Sequence, residues 1–246
     1  MYHLIRFGTV DLPDFNSSTD ISAGSSRVAW YDLPGGGSFD NFGAGAAPLN
    51  GLSKLSKKCT IHAESQTTIQ QKLDALKGMI GTRQKLYAKL PDGSERWLWA
   101  RLVEVKGERK EGDKFWLNVD LAWSSAEIYW HGAARTITGS GNSTLTLTNA
   151  GNATILHAVI TVNSPAASLG FTVTGKSHFT LSGVSGQVIV DCGAMSVTVG
   201  GVEAYSKFAL AADHKTDGWL EIAAPSTPLI VSGSGSVTVS YEDGWR

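Results

Sequence analysis

Charge is divided unevenly along this 246-residue chain, and that division constrains its fold more than any other feature. Residues 1–130 carry 16 Lys/Arg and 15 Asp/Glu, whereas residues 131–246 carry 5 and 7, with Ser, Thr and Gly in their place. A shift this large at one point reads as a domain boundary. The expected domains are 1–132 and 133–246, with His131-Gly132-Ala133-Ala134-Arg135 as the candidate linker. The formal net charge of -1 excludes a nucleic-acid binder that works through bulk charge. No stretch approaches the length of a membrane-spanning apolar helix, so no membrane anchor is expected. Met1 to Val10 lacks the apolar core of a signal peptide. Cys59 and Cys192 lie too far apart in sequence to suggest a disulfide framework. With 28 Gly and 8 Trp, a chain of low charge points to many strands and tight turns.

The first half reads as α+β. Tyr2 to Phe7 and Arg27 to Leu33 are strand candidates, and Leu52 to Glu64 resumes as a strand. Between them, residues 34–48 hold five glycines bracketed by Pro34 and Pro48, a segment expected to form no regular element. One helix is expected, capped by Ser65 or Thr67, with Ile69, Leu73, Leu76 and Ile80 on one face and Gly81 as its left-handed terminator. Lys85 to Leu90 and Glu95 to Val105 flank Pro91-Asp92-Gly93-Ser94 and predict a hairpin. Lys114 to Ser124 alternates Phe115, Leu117, Val119, Leu121 and Trp123 on one face, the mark of a half-buried strand.

The second half reads as all-β. Strands are expected at 143–148, 153–163, 169–174, 177–182, 187–192, 195–199, 202–208, 218–223, 228–232 and 236–242. Along 153–162, one face carries Leu156, Ala158, Ile160 and Val162. Many short strands at close spacing predict a sandwich or barrel.

Motifs that carry chemistry are missing. There is no Walker A loop, no G-x-S-x-G elbow and no H-E-x-x-H. Gly43-Ala44-Gly45-Ala46-Ala47-Pro48 has Pro where a dinucleotide fingerprint needs its third glycine. Cys59, His62 and Glu64 fall on opposite faces of one strand, so they cannot readily share a metal. Asp213, His214, Asp217, Glu242 and Asp243 supply the acids and the imidazole that a hydrolase would need, but they sit at expected turns and at the chain end, where solvated charge is the ordinary outcome. No enzyme and no cofactor is expected.

The tryptophans support two readings. Trp97, Trp99, Trp116 and Trp123 form an aromatic series that fills a core or a subunit interface, or that stacks on sugars or bases. A carbohydrate-binding module is the alternative function, with Trp219 and Tyr205 as its stacking platform.

Several strings also occur in a familiar order. Tyr2-His3-Leu4-Ile5-Arg6-Phe7-Gly8 is followed by Leu33-Pro34-Gly35-Gly36-Gly37-Ser38-Phe39-Asp40, and then by Leu73-Asp74-Ala75-Leu76-Lys77-Gly78-Met79-Ile80-Gly81. Next come Lys85-Leu86-Tyr87, Pro91-Asp92-Gly93 and Trp97-Leu98-Trp99-Ala100-Arg101-Leu102. Asn149-Ala150-Gly151-Asn152-Ala153, Val188-Ile189-Val190-Asp191-Cys192 and Val237-Thr238-Val239-Ser240-Tyr241 complete the series. This order resembles the distal tail (Dit) proteins of long-tailed phages with non-contractile tails.

The resemblance implies a mainly β protein. Its N-terminal sandwich or barrel would be tail-tube-like, with one flanking helix, and its C-terminal sandwich galectin-like. It further implies a structural virion component at the distal end of the tail, assembled in the host cytoplasm. Six copies would form a ring through the N-terminal domain, linking tail tube to tail-tip hub and continuing the DNA channel, with DNA as passing cargo. The tape measure protein and peripheral tip or receptor-binding proteins would be further partners. On this reading Phe39 and Phe42 are anchors on flexible backbone that bury themselves when rings stack; the other possibility is a loop packed on its own barrel. Replacing Phe39 and Phe42 with Ser is expected to reduce tail joining counted by electron microscopy, and normal tails would refute the anchoring role.

Overall fold

A computed structural model describes residues 3–22, 30–33, 37–40, 54–108, 115–125, 129–165, 167–216 and 218–245. The chain divides into two compact units, Met1–Trp130 and His131–Arg246.

The first unit contains β1 (His3–Phe7), β2 (Val10–Asp11), β3 (Phe15–Ser22), β4 (Trp30–Leu33), β5 (Gly37–Asp40), β6 (Lys54–His62), α1 (Gln66–Lys77), β7 (Arg83–Lys89), β8 (Glu95–Glu108) and β9 (Trp116–Ser124). Seven strands pair antiparallel in the order β2-β1-β7-β8-β9-β6-β3. The two ends of this series approach one another. The Leu4 N–H on β1 donates to Thr19 Oγ1 on β3 at 3.4 Å, and Lys57 Nζ on β6 donates to the Leu4 carbonyl at 2.6 Å. Inward positions recur every second residue, as pleated strands require. Leu4 and Phe7, Leu55 and Ile61, Leu86, Leu98 and Leu102, and Val119, Leu121 and Trp123 are all buried.

Helix α1 begins where Ser65 Oγ accepts the Thr68 N–H at 3.1 Å. Ile69, Leu73 and Leu76 are buried, but the helix stops at Lys77 with Gly78 at its cap. Ile80 is therefore 46% exposed and lies past the helix rather than on its apolar face. Gly81 does adopt positive φ (84°), in the turn beyond, where its N–H donates to the Leu102 carbonyl. Gly107 on β8 leaves room for Leu73, whose methyl carbon lies 3.3 Å from where a Cβ would stand.

Three further expectations for this unit change. Strand β9 begins at Trp116, and Phe115, outside the ladder, is 47% exposed rather than inward. The 34–48 segment is not wholly irregular. Gly37–Asp40 pairs with Trp30–Leu33, placing Tyr31 opposite Phe39. Residues 34–36 and 41–48 lie outside the described residues, Phe42 among them. The proposed linker is no loop either: His131–Arg135 is extended chain within β10 (Trp130–Ser140).

The second unit continues with β11 (Ser143–Thr148), β12 (Val159–Asn163), β13 (Ser168–Thr172), β14 (His178–Ser182), β15 (Val188–Asp191), β16 (Ser196–Val199), β17 (Val202–Glu203), β18 (Phe208–Leu210), β19 (Ser226–Ser232) and β20 (Ser236–Trp245). One sheet runs β17-β16-β15-β12-β20-β10 and the other β11-β19-β13-β14-β18. Their inner faces share a core that includes Leu147, Ile160, Phe171, Phe179, Val190 and Leu229, all buried. This is a sandwich of two sheets with alternating inward residues.

The expected 153–163 strand is shortened to Val159–Asn163. Before it Ala153, Ile155 and Ala158 are buried and Leu156 is not; Ile155 is turned inward where it meets Ile222 in an isolated bridge. The expected 218–223 strand reduces to that same bridge. The 202–208 run breaks at a single 3-10 turn, Tyr205–Lys207, before β18.

Gly233, at the β19–β20 turn, has φ of +94°, and an added Cβ would stand 2.4 Å from the Ser168 carbonyl oxygen. Gly201 has similar φ (+81°) but no neighbour within 4 Å. Gly233→Ala is expected to destabilise the second unit by about 3 kcal/mol, and Gly201→Ala by about 1 kcal/mol. Chemical denaturation of both variants checks the order, and equal losses would contradict the packing at this turn.

Candidate interaction surfaces

The aromatic series divides by strand geometry. Trp123 is core: it is 1% exposed, lies 6.2 Å from Phe7 ring to ring, and its indole N–H has no hydrogen-bond partner among the described residues. Trp116 is half-buried and packs at a tilt against exposed His62 (4.3 Å) and Phe15 (4.8 Å), with Phe15 itself 48% exposed. Trp97 and Trp99 are half-buried on the outward face of β8, edge-to-face at 6.1 Å.

Cations cover these outward rings. Lys85 Nζ sits 3.6 Å from the Trp97 ring centre, the Arg83 guanidinium 5.0 Å from Trp99, and the Arg6 guanidinium 4.1 Å from Tyr87. Antiparallel register explains the pairing, since Lys85 lies opposite Trp99 and Tyr87 opposite Trp97. Each such contact contributes about 0.5–1 kcal/mol at a partly exposed site. The sequence reading found the two tryptophans but not their cations; those lie at i, i+2 spacing on the neighbouring strand, legible once β7 and β8 are read in register.

A second cluster was also missed. The Lys57 side chain is fully buried, and its ammonium reaches the Leu4 carbonyl and Asp14 Oδ1, the latter at 3.4 Å. Asp14 also accepts from Ser17 Oγ at 2.8 Å and contacts His3 Nε2. Burial pushes the Lys57 ammonium below its usual range, partly offset by the Asp14 charge. Burial acts to raise the Asp14 carboxyl, but hydrogen bonds from Ser17 and His3 and the Lys57 charge outweigh it and hold it low. Beside this cluster, a cavity of about 420 Å³ has Leu12, Ile61 and Leu76 as its floor and Asp11, His62 and Lys72 among its lining.

The remaining candidate residues that are described lie apart from one another or in local pairs. Cys59 is buried with its thiol pushed up to about 11 by burial, while His62 is exposed at the end of β6 and Glu64 is exposed in the bend beyond it. Cys192 is likewise buried and pushed up to about 12. No group of three His, Cys, Asp or Glu among the described residues is placed to hold a metal. Among those residues, no helix is long and apolar enough to cross a membrane.

Asp243 is not a solvated acid. It is 2% exposed, held by Arg135 Nη2 at 2.8 Å and Nε at 3.1 Å, and accepts the Ala150 N–H at 3.0 Å. Its neighbour in this knot is buried Asn149, which accepts from the Gly151 and Gly244 N–H groups and donates to the Ala153 carbonyl. Asp213 pairs with His178 at 2.6 Å, with a carboxyl held low by that hydrogen bond. His214 is fixed by the His178 backbone and the Gly218 carbonyl. Asp217 lies outside the described residues. The proposed Trp219–Tyr205 platform also fails to present two rings. Tyr205 is 55% exposed, but Trp219 is 4% exposed and covered by Phe208 at 4.1 Å.

The surfaces offered are thus a cation–aromatic sheet face and small aromatic clusters, on a mainly β chain with one helix. The fold is that of the phage Dit proteins. The chain is similar to the SPP1 Dit protein, part of a hub adsorption apparatus in phages that infect Gram-positive bacteria, with TM-score 0.60 and 12% identity over 98% of this chain and 99% of that one. It is also similar to chains in the phage p2 baseplate in its activated conformation. With calcium the TM-score is 0.47 at 8% identity, over 96% of this chain and 94% of that one. With strontium the TM-score is 0.43 at 8% identity, over 98% and 91%. No family model matches the chain. No curated protein matches it either.

Lys57 can be tested directly. Lys57→Ala removes the donor to the Leu4 carbonyl and opens a void, with an expected loss of about 3–4 kcal/mol; Lys57→Met keeps the volume, buries no charge and is expected to lose about 1–2 kcal/mol. The folded chain releases the Lys57 proton below the ordinary 10.5, while the unfolded chain still holds it. This group's contribution to stability therefore rises with pH through the window just below 10.5. Denaturation midpoints across that window are expected to show the rise in wild type and not in Lys57→Met.

Proposed function

We propose that this chain is a distal tail protein of a phage with a long non-contractile tail. Its role is structural rather than enzymatic. Six copies form a ring through the N-terminal unit at the distal end of the tail, joining tail tube to tail-tip hub, and the lumen of the ring continues the DNA channel. The second unit, read as the galectin-like domain of the family, faces outward and anchors peripheral tip or receptor-binding proteins. The tape measure protein is a further neighbour in the assembled tail.

One observation carries the reading: a correspondence of fold with the SPP1 Dit protein that spans nearly the whole of both chains at 12% identity. Full-length agreement preserves the order of two dissimilar β units, which a shared sandwich alone would not. One feature of the chain agrees with it: Trp97, Trp99 and Trp116 lie outward on strands, and subunit contacts draw on Trp, Tyr and Arg.

Light scattering after gel filtration is expected to give a species of six times 26.1 kDa, with a central hole in negative stain of the same peak. A chain that remains monomeric alone and also in the presence of purified tail tube and hub proteins would refute the reading.

A further inference from the structure

The outward face of β7 and β8 brings cations and aromatic rings together in cross-strand register. Its cross-strand pairs are Arg83↔Arg101, Lys85↔Trp99, Tyr87↔Trp97 and Lys89↔Glu95. Two guanidinium groups therefore oppose each other directly, and like charges at opposed positions destabilise a sheet. Arg6 of β1 adds a fifth cation beside Tyr87, and two acids share these positions: Asp11, opposite Arg6 on β2, and Glu95, whose carboxylate lies 3.5 Å from the Arg6 guanidinium. Arg83, Lys89 and Arg101 are exposed, and Val103 continues the face at 48% exposure.

From these observations we infer that this face receives a second copy of the same chain in a head-to-tail contact. The inference rests on the ring reading and names the surface that closes it. Charge is the first argument. Residues 1–130 hold 16 cations and 15 acids, and this face takes five of the cations and two of the acids. The other charges of that stretch are eleven cations and thirteen acids, and residues 131–246 add 5 cations and 7 acids. A nearly neutral chain with an excess of cations on one face has an excess of acids elsewhere, and that complementarity is what a heterologous, repeating contact uses.

Composition is the second argument. Trp, Tyr and Arg are the residue types enriched at the energetic centres of protein interfaces. A nucleic-acid partner fits less well. Bases stack on open aromatic faces, whereas here Lys85 and Arg83 already lie over Trp97 and Trp99. The cation–aromatic contacts also hold the long side chains in place, so less freedom is lost when a partner binds.

Sedimentation velocity of the full chain tests this, comparing wild type, Arg101→Glu, Lys85→Glu/Arg101→Glu and Lys58→Glu. Lys58 lies on β6 with 73% of its side chain exposed, away from this face. Wild type is expected to associate, and to do so more weakly as salt is raised. The double reversal is expected to raise the half-assembly concentration by about tenfold or more, with Lys58→Glu close to wild type. Arg101→Glu separates assembly from folding. It places a carboxylate opposite Arg83, so the variant is expected to melt no lower than wild type while assembling more weakly.

Face variants that assemble like wild type would overturn the inference and leave the ring reading standing. So would a Lys58→Glu defect as large as theirs. Salt-sensitive binding of a DNA duplex by wild type, lost in the double variant while assembly is unchanged, would assign the face to nucleic acid and overturn it as well. A wild-type chain that stays monomeric both alone and with purified tail tube and hub proteins would remove the ring reading and this inference together.

Discussion

In the first unit, a strand order that starts at β2 and ends at β3 encloses a core only if its two ends meet, and Lys57 is where they are tied. Its stem lies among the inward positions of β6, beside Leu55 and Cys59, while its ammonium reaches the backbone carbonyl of Leu4 on β1 and the carboxylate of Asp14. An apolar residue there would fill the same volume without burying charge. It would not select the one arrangement in which β1 crosses β6 at that carbonyl. Buried charges are weak sources of stability, and fixing register is their best-attested use. Leu4 and Phe7 face inward because β1 is held at that position, and β7 and β8 take their register from β1 in turn.

The second unit uses the same device with different chemistry. Here the buried Asp243 and Asn149 join the last strand to the 149–153 turn, through Arg135 on β10 and the N–H groups of Ala150, Gly151 and Gly244. Every partner is a fixed backbone group or a forked guanidinium, so the carboxylate is satisfied at several points at once. The apolar core spreads evenly over both sheets, and any sandwich of this composition could form one. Polar residues at the two seams determine which sandwich and which barrel are built.

This explains which parts of the fold were legible in the sequence. Period-two patterns in 117–123, 143–148 and 236–242 lie in strands whose buried and exposed faces differ in polarity, so composition alone reveals them. The Ser65 cap and the Ile69–Leu73–Leu76 stripe are local signals and could be read for the same reason. The irregular lead-in of 153–158 could not be read, because Ile155 is buried through a bridge to Ile222, far along the chain. The end of α1 was misplaced because Ile80 continues the helical spacing although the chain has already turned at Gly78. Lys57 and Asp243 look like surface residues in sequence, and nothing local marks a Lys or an Asp whose partner is tens of residues away.

The same contrast bears on the outward surfaces. Trp97 and Trp99 are conspicuous in sequence, yet a tryptophan in a strand is equally at home in a core, as Trp123 is. The difference arises from what lies beside each ring across the strand. Trp123 meets Phe7 and gives up the hydrogen bond of its indole N–H, a loss accepted for close packing. Trp97 and Trp99 meet Lys85 and Arg83 instead, and a ring flanked by cations cannot be drawn into an apolar core without taking charge with it. The pairing of β7 with β8 therefore keeps these aromatics at the surface, with Lys85 and Arg83 laid over them.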